Sequence, residues 1–128
     1  MSDTNLLGET LAALHGHSLT TKDVLWVGSA NGEMAMIWEE FESIAEKMDY
    51  NSGYGSPKIA VDLVVVGSTW WLERGEYDGS EWWEYKSMPA RASKPKRFDY
   101  VCVSNTPHDV SCGWECLAKI NGSKGEWD

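Results

Sequence analysis

TWWLERGEYDGSEWWEYK, residues Thr69–Lys86, holds four of the chain's eight tryptophans and five of its acidic side chains. Asp78-Gly79 at its centre is a two-residue hairpin signal, because a type I′ turn needs positive φ at both central positions. A turn there fixes a register. Tyr77 faces Ser80, Glu76 faces Glu81, Gly75 faces Trp82, Arg74 faces Trp83, Glu73 faces Glu84, Leu72 faces Tyr85 and Trp71 faces Lys86. Side chains alternate along a strand. Trp70, Leu72, Arg74, Trp83 and Tyr85 therefore share one face, and Trp71, Glu73, Trp82, Glu84 and Lys86 share the other. A one-residue slip would change every pairing.

The first face reads as core, with Arg74 able to stack on Trp83 at the rim. The second sets two tryptophans beside two directly opposed carboxylates, an unfavourable pairing that Lys86 or a partner would offset. Three readings stay open: a half-wet sheet face, a docking surface for a basic or planar partner, and a carboxylate pair acting as acid and base or holding a metal. No third ligand is visible nearby.

Before the hairpin, Thr4 can cap a helix running to about Leu14, with Leu7, Leu11 and Leu14 as its apolar stripe and Gly16 as its end. His15 and His17 follow in a turn that reads as a solvated helix end. Val24–Gly28 is an expected strand, Asn31-Gly32 a second hairpin signal, and Glu33–Ile37 the returning strand. Trp38–Met48 is the best helix in the chain. Trp38, Phe41, Ile44, Ala45 and Met48 share its apolar face, and Glu39, Glu40, Glu42, Glu46 and Lys47 cover the rest. That glutamate cluster is a solvated face or part of an acidic docking surface. Asp49–Ser56 reads as a loop, a connector or a contact surface carrying two tyrosines. Lys58–Gly67 is apolar on both faces except at Asp62, which marks a central strand and leaves a carboxylate in need of a partner.

Beyond the hairpin, Pro89–Arg97 is a basic, proline-containing linker able to wrap over the acidic face of its own domain. Asp99–Ser104 is expected as a short strand, Asn105–Gly113 as loop and Trp114–Ile120 as an alternating strand before an Asn121-Gly122 turn. Cys102, His108, Cys112 and Cys116 have the composition of a structural zinc site. Their spacing is not a strong pattern, and it needs Cys112 and Cys116 one helical turn apart. The strand reading therefore disfavours a metal and makes Cys102 and Cys116 small buried apolar residues.

A chain of 128 residues is expected to form one domain: an N-terminal helix and turn (1–22), an α+β core (23–98) and a C-terminal hairpin extension (99–128). The formal net charge is −9. Residues 1–88 carry 15 acidic and 5 basic side chains, and residues 89–128 carry 5 and 6, so the acidity belongs to the front of the chain. Such charge argues against direct binding to nucleic acid or to an anionic membrane, and suits a basic partner. No run reaches transmembrane length and no signal peptide is evident, so a reducing cytoplasm is the expected location. Three cysteines speak against a disulfide scaffold.

The segment from about Val24 to Phe98 resembles a family of small uncharacterised proteins encoded by tailed bacteriophages. VLWVGSANGEMAMIWEEFESIA, DYNSGYG and DLVVVGSTWWLERGEYDGSEWWEYKSMP carry the resemblance. It brings no assigned activity. It implies an early or accessory gene acting on host or rival systems inside the host cytoplasm. The region after Phe98 is extra relative to short members.

The fold expected is α+β: a mostly antiparallel sheet of five to seven strands with one main amphipathic helix packed on it and an N-terminal helix at an edge. The function expected is a non-enzymatic phage accessory protein, anti-CRISPR-like or anti-restriction-like, that inhibits a nucleic-acid-handling host protein with a basic surface. Glu39, Glu40, Glu42, Glu46, Glu73, Asp78, Glu81 and Glu84 would supply the charge, with Trp71 and Trp82 as anchors. No cofactor is expected, and a homodimer is compatible with the pattern. The alternative is a binder of a nucleotide signal, with tryptophans stacking on a base and Arg74, Arg91 or Lys86 meeting phosphate. A Trp-lined pocket with an arginine at its base would favour that class; a flat acidic face would favour the first. No Ser-centred elbow, His-Glu-x-x-His or phosphate loop points to an enzyme.

Overall fold

A computed structural model of the chain describes residues 3–102 and 115–125. The chain divides into two packed units, Met1–Pro89 and Ala90–Asp128.

In the first unit the order is β1 (Thr4–Asn5), α1 (Leu6–Gly16), a 3₁₀ turn (Thr21–Asp23), β2 (Trp26–Ser29), β3 (Ala35–Met36), α2 (Trp38–Ala45), β4 (Asp49–Tyr50), β5 (Leu63–Val66), β6 (Trp70–Tyr77) and β7 (Ser80–Ser87). Five strands make one antiparallel sheet in the order β3-β2-β5-β6-β7. The α+β class and the antiparallel sheet are as expected, and β5 is its central strand. The two remaining strands, β1 and β4, pair with each other as a separate short ladder.

The β6–β7 hairpin has the register that its turn dictates, from Tyr77 opposite Ser80 to Trp71 opposite Lys86. Asp78 and Gly79 have φ of 50° and 88°, the positive pair that a type I′ turn requires. Eight residues in each strand make it the longest ladder of the sheet.

The core lies on one side of that sheet. Val27, Val65, Leu72, Trp70 and Trp83 point to it from the strands, Leu6 and Leu14 from α1, and Trp38, Phe41 and Ala45 from α2. Burying each of the valine, leucine and phenylalanine side chains among them stabilises the fold by roughly 1.5–3 kcal/mol. The helices differ from expectation in detail. Asn5, not Thr4, caps α1, its side chain accepting from the Gly8 N–H at 3.0 Å. The buried stripe of α1 is Leu6, Thr10 and Leu14, with Leu7 and Leu11 only partly covered. Thr10 can be buried because its hydroxyl donates to Leu6 O (2.7 Å) and accepts from the Trp83 indole N–H (2.9 Å). Helix α2 stops at Ala45, short of Met48, which is exposed; Ile44, inside the helix, is exposed as well. No side chain caps its N-terminus, and Glu39 and Glu40 occupy the first turn, where negative charge suits the helix dipole.

Other boundaries shift too. Strand β2 begins at Trp26, and its return through Asn31 is a longer loop rather than a two-residue turn, so β3 keeps only Ala35 and Met36. Asp49–Tyr50 is strand, and Tyr50 is buried rather than a surface tyrosine; Tyr54 is exposed. Asp62 precedes β5 and is exposed, so it needs no buried partner.

The second unit contains α3, Leu117–Gly125, where a strand and turn were expected. Asn121 stands inside that helix instead of at a sheet end. Its amide oxygen accepts from Asp99 N–H (3.1 Å) and Tyr100 N–H (3.0 Å), and its amide nitrogen donates to Tyr100 O (2.9 Å) and Leu117 O (2.9 Å). One side chain thus fastens an extended segment to the helix. The described part of the expected Asp99–Ser104 strand is not strand. Among the described residues no helix is long and apolar enough to cross a membrane.

Candidate binding surface

The sheet has a second side, which neither α1 nor α2 covers, since both put their buried residues into the core on the other. Register assigns its occupants. Trp26 lies opposite Val66, Val66 opposite Trp71 and Val64 opposite Glu73. Glu73 lies opposite Glu84, Gly75 opposite Trp82 and Trp71 opposite Lys86. This face therefore carries three tryptophans, two valines, two glutamates and a lysine.

The two carboxylates are each tied to a neighbouring indole on their own strand. Trp71 Nε1–H donates to Glu73 Oε1 at 2.7 Å, and Trp82 Nε1–H donates to Glu84 Oε2 at 3.3 Å. Gly75 makes room for this: a Cβ there would lie 2.7 Å from the Glu84 carboxyl carbon. All four side chains are half-buried. Among the described residues no cation pairs with either carboxylate, and Lys86, which is exposed, makes no ion pair. The like charges are held face to face with no internal counter-charge.

Beside them runs an open groove of about 500 Å³, lined by Trp26, Val64, Val66, Trp71, Asp62, Glu73 and Arg74 among others. Its walls are indole and valine; its charged residues are Asp62, Glu73 and Arg74, and the Arg74 guanidinium is already paired with Glu9 and Glu81. Trp26 was not among the residues expected here. Its part depends on β2 pairing with β5, a contact between distant segments that the hairpin sequence cannot show.

On the hairpin's opposite face the charges are paired within the protein, although Arg74 Nε is buried without a hydrogen-bond partner among the described residues. Arg74 is buried over the Trp83 ring, 4.7 Å from its centroid, rather than placed at a rim. Its guanidinium meets Glu81 Oε1 at 3.0 Å, Glu9 Oε1 at 3.3 Å and the Tyr50 hydroxyl at 2.9 Å. Tyr50 in turn donates to Glu9 Oε1 at 2.6 Å. Burial, and then the Glu9 acceptor, push the Tyr50 phenol up to about 12, while Arg74 works the other way. Burial alone would lower the Arg74 value; Tyr50, Glu9 and Glu81 outweigh it and raise it. Glu81 also accepts from Lys58 N–H (2.6 Å) and Ile59 N–H (3.3 Å). It is therefore a buried structural carboxylate and not part of an acidic docking surface.

The remaining expected residues do not form one surface. Glu39, Glu40 and Glu42 are exposed on α2 and Glu46 at its C-cap, across the sheet from Trp71, Glu73, Trp82 and Glu84. Asp78 is exposed at the hairpin turn. In the second unit Cys102 is buried and Cys116 is exposed just before α3; His108 and Cys112 lie outside the described residues. Among the described residues no group of three metal-ligating side chains comes together. Compared with protein families, curated proteins and solved structures, the chain has no match.

Proposed function

We propose that this chain is a non-enzymatic binding protein that docks a basic protein surface on the open tryptophan face of its sheet. One observation carries the reading: Glu73 and Glu84 are directly opposed, half-buried between Trp71 and Trp82, and have no counter-charge within the described residues. A guanidinium or ammonium group from a partner would relieve the repulsion and stack on indole faces. The flanking valines and Trp26 supply the apolar contact that aromatic anchors usually need. In the setting implied by the phage resemblance, the partner is a host nucleic-acid-handling defence protein, whose basic groove would be blocked.

The nucleotide-sponge alternative is less well supported. Its arginine would be Arg74, and that side chain is committed to Glu9, Tyr50 and Glu81. Arg74 does line the groove beside Trp71, but with its guanidinium paired, the unpaired charges there are Glu73 and Asp62, which repel phosphate.

A tagged pull-down from host lysate tests the proposal, run with wild type and a Glu73→Lys/Glu84→Lys variant and read for both proteins and metabolites. A protein retained by wild type, lost by the variant and released as salt rises supports it. Retention that ignores both salt and the variant overturns it, and a retained nucleotide without protein moves the weight to the alternative.

A further inference from the structure

Strand β7 is the outer strand of the sheet, and its pairing phase shows which backbone groups it leaves free. Met88 N–H donates to Thr69 O at 2.7 Å, continuing the ladder with the even-numbered residues of β7 bonded to β6. The odd-numbered residues 81, 83, 85 and 87 therefore direct N–H and C=O outward. Glu81 N–H is taken by Ser52 O at 2.7 Å, which closes that end of the edge. Among the described residues the outward N–H groups of Trp83, Tyr85 and Ser87 have no acceptor. An edge of this kind is a template for another strand.

We infer that the strand it takes is β7 of a second copy, antiparallel about a two-fold axis at Tyr85. The side chains select this register. An axis at Glu84 sets Glu84 against Glu84, and one at Lys86 sets Lys86 against Lys86, both like-charge pairs. Moving the axis to Trp83 draws Glu81, already bonded to Ser52, into the new ladder. With the axis at Tyr85, Trp83 exchanges backbone hydrogen bonds with Ser87 of the second copy, and Tyr85 with its own counterpart. Glu84 then lies opposite Lys86 of the second copy, and Lys86 opposite Glu84. Both pairs fall at non-hydrogen-bonded positions, where side chains come closest. Both involve charges that have no ionic partner among the described residues of one copy. The result is a ten-stranded antiparallel sheet whose two tryptophan faces are continuous. Lys86 of each copy meets Glu84 of the other, and Glu73, with Trp71 and Trp26, remains the carboxylate open to a basic partner on both halves. A contact through one strand edge is small, so the dimer is reversible and concentration-dependent.

Sedimentation equilibrium of the full chain over a wide concentration range tests this, with Glu84→Lys, Lys86→Glu and the double exchange beside wild type. Each single change turns two attractive cross-strand pairs into two repulsive ones and weakens the dimer by about tenfold or more. The double exchange restores it, because the pairs are attractive again with signs reversed. Amide exchange adds a second readout: protection at Trp83, Tyr85 and Ser87 rises with wild-type concentration. A wild type that stays monomeric throughout overturns the inference. So does a dimer that tolerates both single changes, or a double exchange that fails to recover.

Discussion

The two faces of the β6–β7 hairpin use the same chemistry to opposite ends. Each has tryptophan, glutamate and one basic side chain. On the core face Arg74 satisfies Glu81 and Glu9 and stacks on Trp83, so the charge is neutralised inside the protein. On the open face Glu73 and Glu84 receive only indole N–H groups, and Lys86 stands apart. A buried ion pair is sensitive to losing one partner, because the other is then stranded. An open pair is instead available to something outside. The difference teaches that composition alone does not mark a binding surface; what marks it is whether the counter-charge is already in the molecule.

Breaking the closed face should have the largest effect. Arg74→Met strands Glu81 and Glu9 and should cost about 3–5 kcal/mol in a denaturant titration. Neighbouring tryptophans give the sharpest contrast. Trp83→Ala removes a buried ring and the hydrogen bond to Thr10, for a loss of about 3–5 kcal/mol. Trp82→Ala, one residue away, should cost only about 1 kcal/mol of stability while weakening partner binding by about 2 kcal/mol or more. Equal stability losses would erase the distinction between the faces.

Alkaline pH probes the closed network more gently. The Tyr50 value in the fold, about 12, is above its ordinary 10.0, so the neutral phenol stabilises the fold fully below pH 10. That contribution is lost as pH rises through 12. Melting temperatures followed into this range should fall more steeply for wild type than for Tyr50→Phe. The smallest expected effect is on the open face: Glu73→Gln keeps an acceptor for Trp71 and removes the like-charge pair, raising stability by about 0.2–1 kcal/mol.

Much of this was legible in the sequence, where the signal was local. The Asp78-Gly79 turn and period-2 alternation were enough to place every cross-strand pair from Trp71–Lys86 to Tyr77–Ser80. The same alternation puts Glu81 on the face of Arg74 and Trp83, so its burial was readable although net charge suggested a surface role. Trp26 was not readable as a site residue, because β2 meets β5 only through the tertiary fold. Nor was the buried role of Tyr50, which rests on Glu9 and Arg74 arriving from distant segments. WECLAKI alternates like a strand over seven residues, too short a window to exclude a helix. Ile120 is buried, and Asn121 turns its amide back to the Leu117 carbonyl within α3.

The most direct test of the open face is the indole ¹⁵N–¹H spectrum of the full chain, titrated with an extended arginine-rich peptide. The Trp71 and Trp82 signals are expected to move, because their N–H groups sit on the carboxylates that receive the cation, while Trp83, bonded to Thr10 in the core, stays fixed. Unmoved Trp71 and Trp82 signals, or a shift at Trp83 equal to theirs, would contradict it.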